Sequence, residues 1–167
     1  MYGNKSRYLS YKYINKDADN LRISLEKNDL LNQKNFIKIL YFLKIQPEAT
    51  EIFSDSKYFD QLMVIDKLQN LAPHNSQIFI KEHPDQKRND PMARANFWNS
   101  ISKKKNIFVL PTEDTPSSLF RHFDVIATLE GTVGWEALRN LKPVICFGRP
   151  WYLSMPGAFY VDEILDF

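Results

Sequence analysis

The sequence predicts an α/β domain with a doubly wound parallel sheet, on three observations. Five short apolar runs recur along the chain with segments of helical character between them; proline, glycine or asparagine punctuates the boundaries. The chain is also long enough, at 167 residues with 44% hydrophobic content, to close one substantial core. Strands joined through helices run parallel, and right-handed crossovers then cover both faces of the sheet.

The elements follow in order. FIKILYFLKI at 36–45 is expected as the first strand, stopped by Pro47. FDQLMVIDKLQNLA at 59–72 reads as a helix ended by Pro73, and QIFIKEHP at 77–84 as a strand ended by Pro84. ARANFWNSISKK at 93–104 is expected as a helix, NIFVLP at 106–111 as a strand, and SSLFRHF at 117–123 as a short helix. Thr115 stands at the cap position of that helix, with Pro116 in the favoured first turn. VIATLEG at 125–131 is the fourth strand, VGWEALRN at 133–140 a helix and PVICFG at 143–148 the fifth strand, while YVDEILDF at 160–167 reads as the start of a further helix.

Residues 1–35 are polar, with many lysines, asparagines and tyrosines. They are expected as a helical N-terminal arm or the remnant of a preceding domain, with Asp19 capping a helix through Leu21 and Leu25. The α/β domain is then 36–167. A formal charge of +2 is too small to indicate a nucleic-acid partner. Cys146, the single cysteine, sits in an apolar run and is expected as a buried reduced thiol, which points to a cytosolic setting. Neither a signal-peptide pattern nor an apolar run of membrane-spanning length is present, so any membrane association is expected to be peripheral.

In an open parallel sheet, ligands bind beyond the carboxyl ends of the strands, which directs attention to three loops. EGTVGWEA at 130–137 carries a strand through Gly131, Thr132, Val133 and Gly134 directly into a helix. Glycine lets the backbone approach a ligand, and the free amides of a first helical turn suit a phosphate. Thr132 either adds a hydroxyl donor or simply caps the helix. The spacing is neither a Walker loop nor a full GxGxxG fingerprint.

KEHPDQ at 81–86 puts His83 at a strand end, where an imidazole donates to a phosphate or passes a proton near neutral pH, or is merely a loop residue bonded to backbone. Lys81 and Lys87 add positive charge. Strand alternation sets Lys81 and His83 on one face and Glu82 on the other, as a structural partner. QPEAT at 46–50 offers Gln46 and Glu48, the latter placed for sugar contact or base catalysis. Trp151 and Tyr152, after the last strand, are candidates to line a pocket, whereas Trp98 and Trp135 are expected to pack helices onto the sheet. His74 and His122 fall on surface positions. Asp17-Ala18-Asp19 follows a polar tract and reads as helix capping, and nothing has the spacing of a metal site.

In their order, QPEAT, IFIKEHPDQ, VIATLEGTVGWEAL and LKPVICFGRPWY resemble the capsule polysaccharide biosynthesis family, which includes bacterial transferases of 3-deoxy-manno-octulosonic acid (Kdo). The resemblance spans roughly residues 36–160. It implies the nucleotide-sugar-binding, C-terminal half of a metal-independent glycosyltransferase of the two-domain GT-B type. It further implies that His83, Thr132 and the backbone from Gly131 to Gly134 face the donor phosphate, with Glu136 on the ribose or base; His83 and Glu48, from their places at strand ends, are the catalytic candidates. The donor implied is a CMP-sugar such as CMP-Kdo, with no other cofactor. The acceptor would be a glycan or glycolipid presented by a separate domain, at the cytoplasmic face of the inner membrane. The Kdo branch tends to have an aspartate soon after the first-strand glutamine, where this chain has Ala49 and Thr50. Two other classes stand beside this reading, a non-catalytic scaffold of polysaccharide assembly and a nucleotide-sugar epimerase; fold does not choose among them.

Overall fold

The computed structural model describes residues 35–45, 58, 60–88, 91–110 and 114–164. The expected arm at 1–35 lies almost entirely outside them, as do Asp17, Asp19 and the loop carrying Gln46 and Glu48.

Six parallel strands form one sheet: β1 Ile37–Phe42, β2 Ser76–Lys81, β3 Ile107–Leu110, β4 Val125–Thr128, β5 Val144–Cys146 and β6 Ala158–Tyr160. Their lateral order is β3-β2-β1-β4-β5-β6. The helices are α1 Gln61–Leu71, α2 Pro91–Ser102, α3 Pro116–Leu119 and α4 Thr132–Arg139, with 3-10 turns at Pro84–Arg88, Phe120–His122 and Val161–Glu163. The doubly wound α/β architecture is therefore as expected.

Alternation along the strands sorts the core into two layers. On one face Ile39, Tyr41, Ile78 and Ile80 pack with Val64, Ile65 and Leu68 of α1 and with Phe97, Trp98 and Ile101 of α2. On the other, Leu40, Phe79 and Ile126 pack with Leu119, Phe120, Phe123 and Ala137. β2 is buried along its whole length, because both its faces carry helices and both its edges carry strands.

Several expected boundaries move. The last segment does not begin as a helix: Ala158–Tyr160 adds a sixth strand beside β5, and only a 3-10 turn follows. Three residues are too few to show a period, and Pro156 and Gly157, the latter at φ +90, turn the chain into the strand. The other strands stop short of their apolar runs. β1 ends at Phe42, β2 at Lys81 and β4 at Thr128, so Leu43–Ile45, Glu82–His83 and Leu129–Gly131 are loop at the sheet's carboxyl edge. The helix expected at 117–123 divides into α3 and a 3-10 turn; Pro116 opens it, but Thr115 makes no side-chain capping bond.

Candidate functional site

The strand order reverses between β1 and β4, and adjacent loops diverge at such a point to leave a crevice. A cleft of about 730 Å³ lies there. Its walls are residues 42–45 at the end of β1, 81–84 at the end of β2, 114–116 at the start of α3, and 128–133 with Glu136 from the end of β4 into α4. Gln61 sets the first wall. Fully buried at the start of α1, its amide nitrogen donates to the Lys44 carbonyl (3.0 Å) and its amide oxygen accepts from the Lys44 N–H (2.8 Å).

The turn into α4 is held from three directions. The Gly131 N–H donates to Thr128 Oγ1 at 3.2 Å; the Gly131 carbonyl accepts from the Gly134 N–H at 3.0 Å and from the Tyr152 hydroxyl at 2.6 Å. Gly131, not Thr132, is the N-cap residue, and it brings no capping side chain. The alternative in which Thr132 caps the helix therefore does not hold. With the Gly131 and Gly134 amides engaged, Thr132 and Val133 carry the remaining donors of the first turn, and both residues line the cleft. An uncapped helix start of this kind presents two N–H dipoles and the positive end of the helix to an anion.

Tyr152 and Trp151 are not cleft residues, contrary to the expectation that they line a pocket. Tyr152 is fully buried behind the Gly131 turn, and Trp151, 66% exposed, packs against the rings of Trp135 and Tyr152 with centroids 5.0 and 5.5 Å away. Trp135 thus meets a neighbouring tryptophan at a tilt while also packing on the core, and Trp98, carried by α2, is buried as expected. The reason for the correction lies in two glycines. A Cβ on Gly134 would fall 2.2 Å from Tyr152 Oη, and one on Gly148 would fall 2.3 Å from Glu130 Cγ. Their missing side chains let residues 148–152 close onto residues 130–134, where the Arg149 N–H also donates to Glu130 Oε1 at 3.2 Å.

His83 sits on the opposite wall. Its Nδ1 accepts the Asp85 N–H at 3.2 Å, which fixes the neutral ring with its proton on Nε2, a donor nitrogen. One nitrogen thus binds backbone, as one of the two sequence alternatives had it, and the residue lines the cleft. Lys81 is only 3% exposed at the end of β2. The alternation expected to separate Glu82 from Lys81 and His83 lapses once the strand ends and Pro84 starts a 3-10 turn, and all three residues line the cleft. The Lys87 side chain is outside the described set. Lys44, Asp114, Thr115 and Glu130 also wall the cleft and were missed, although the strand-end rule applied to the loop after the third strand would have reached Asp114 and Thr115.

Below the turn, burial pushes the Cys146 thiol up from 9.0 to about 12, and it raises the Tyr152 phenol as well. A group whose folded pKa is raised keeps its contribution to stability at lower pH and loses it as pH climbs. The expected outcome is that Cys146 resists a thiol reagent at pH 8 in the native protein, reacts at once in denaturant, and contributes to a loss of stability between about pH 9 and 12. Rapid native labelling at pH 8 would contradict the assigned burial. Burial likewise lowers His122, helped by the Arg121 and Lys38 charges, so that imidazole is neutral at pH 7.

Among the described residues no cluster of three His, Cys, Asp or Glu side chains stands ready for a metal, and no helix is long and apolar enough to cross a membrane. A second cavity of about 530 Å³ opens at the amino end of the sheet, between α1 and β6, with an almost wholly apolar lining.

Residues 5–162 match the family described as capsule polysaccharide biosynthesis protein. Over 77 residues the chain is 27% identical to the capsule polysaccharide modification protein LipA of Neisseria meningitidis, in serogroup B and serogroup A alike. That match takes in 46% of this chain and 10% of LipA. Among solved structures, the β-Kdo 2,4 transferase of Thermosulfurimonas dismutans KpsC superposes with a TM-score of 0.55 at 19% identity, over 90% of this chain and 47% of that one. The β-Kdo 2,7 transferase of the same protein gives 0.54 at 20% identity, over 86% and 43%. The chain thus spans less than half of each relative, and the two structures share its Rossmann-like fold.

Proposed function

Since this chain belongs to the capsule polysaccharide biosynthesis family, we propose that its cleft is the donor site of a GT-B glycosyltransferase, binding a nucleotide sugar, with a CMP-sugar such as CMP-Kdo as the first candidate. The observation that carries the reading is the uncapped first turn of α4, which opens onto a cleft at the topological switch point. There the Thr132 and Val133 amides and the Thr132 hydroxyl hold the phosphate from one wall. His83 Nε2–H donates from the other. Glu136, one helical turn on, faces the ribose or base.

Chemically, such a site stabilises charge as it develops on the departing phosphate. Prepositioned donors need no reorganisation when the glycosidic bond to the phosphate lengthens, and the His83 Nε2–H supplies a hydrogen bond at that oxygen. The glycan or glycolipid acceptor is presented by a separate domain, at the cytoplasmic side where nucleotide sugars are consumed. No metal is required by this donor set.

The test is the melting temperature with CMP, CMP-Kdo, CMP-sialic acid, UDP, GDP and dTDP. A ligand at 100 times its Kd adds about 2.7 kcal/mol, which moves the midpoint of a domain of this size by about 5–10 °C. A selective shift with the cytidine ligands is the expected result. No shift with any of them favours the scaffold reading, and turnover of the sugar without an acceptor would indicate the epimerase.

A further inference from the structure

Tyr152 stands outside the cleft, yet it touches the one carbonyl that governs the cleft's donor turn. Its hydroxyl donates to the Gly131 oxygen at 2.6 Å, and the ring packs in the same buried layer as Cys146. The ring is fully buried, and the bare Cα of Gly134 is what admits it. The bond joins residues 21 apart in sequence, so it is a product of the tertiary fold and not of the turn itself.

The Gly131 carbonyl and the Thr132 N–H belong to the same peptide unit. A strong hydrogen bond donated to that carbonyl polarises the amide and makes its N–H a better donor. It also fixes the peptide plane. An N-terminal cap usually gives rigidity through a side chain that occupies the free amides. Here rigidity comes from behind, and the amides stay open.

On this basis, and resting on the donor-site reading above, we infer that Tyr152 is a positioning residue for phosphate binding: it orients and polarises the Gly131–Thr132 peptide so that the first turn of α4 engages the donor phosphate. A tyrosine that merely fills space behind the turn would affect stability alone, whereas a positioning tyrosine also affects affinity at temperatures where the protein is fully folded.

The experiment compares the wild-type chain with Tyr152→Phe, which keeps the ring and removes the hydroxyl. CMP affinity is measured by calorimetry well below the melting temperature. The expected result is a Kd for CMP raised about five- to tenfold, the scale of one lost hydrogen bond. A protein in which Tyr152 is replaced by 3-fluorotyrosine, whose hydroxyl is the more acidic donor, is expected to bind CMP more tightly than the wild type. Equal CMP affinity in wild type and Tyr152→Phe overturns this inference and leaves the donor site standing. No CMP binding by the wild type overturns the donor-site reading, and this inference with it. Should Tyr152→Phe fail to fold, the 3-fluorotyrosine protein decides the matter by itself: tighter CMP binding supports the positioning role, and unchanged or weaker binding refutes it.

Discussion

Alanine at position 134 should lower stability by about 2–3 kcal/mol, the range of overpacking in a closed core, and drop the melting temperature by about 5–10 °C. The added methyl would lie 2.2 Å from Tyr152 Oη, 2.7 Å from Cζ and 2.9 Å from Cε2, so rotation of the hydroxyl alone relieves nothing. Tyr152 is fully buried and its ring has nowhere to go without breaking its bond to Gly131. Gly148→Ala is the informative comparison. There the methyl meets the Glu130 side chain at 2.3 Å, but Glu130 is exposed and swings aside, so the cost should stay below about 1 kcal/mol. Thermal denaturation of the two variants checks both statements, and a Gly134→Ala protein that melts with the wild type would show that the Tyr152 contact is not as close as assigned.

His83→Ala should weaken CMP binding by tenfold or more, because a hydrogen bond to a charged phosphate contributes about 1.5–3 kcal/mol. Thr132→Val, which keeps the shape and loses the hydroxyl, should weaken it by about fivefold. Both side chains lie at the rim of the cleft, with His83 43% exposed and Thr132 exposed, so neither variant should unfold the protein. Calorimetric titration with CMP beside a melting curve separates the two effects. Unchanged affinity in both variants would remove His83 and Thr132 from the site.

Much of this site was legible beforehand because its main parts are local. The Gly-Thr-Val-Gly turn shows glycines between an apolar run and a helical period, and His83 shows itself by standing before a proline at the end of another run. Asp114 and Thr115 were open to the same local rule, but other parts of the site are not local. Gln61, which holds Lys44 in place, looks like any polar residue at the start of a helix, and only the return of α1 across β1 brings it under that loop. Glu130 was seen as part of a motif, but its role in receiving the Arg149 amide depends on a contact across 19 residues.

By itself the sequence determined the fold class, five of the six strands and two of the loops that line the cleft, since apolar runs, helical periods and proline or glycine stops are properties of a few consecutive residues. The tertiary structure alone decided the strand order β3-β2-β1-β4-β5-β6, and with it the switch point between β1 and β4 that brings Lys44, His83, Asp114 and Thr132 around one cleft. It also decided that Tyr152 belongs behind the turn and not in the pocket. Lateral order and burial arise from crossovers and close approaches between distant segments, and no window of neighbouring residues contains the Gly134 surface against which Tyr152 closes.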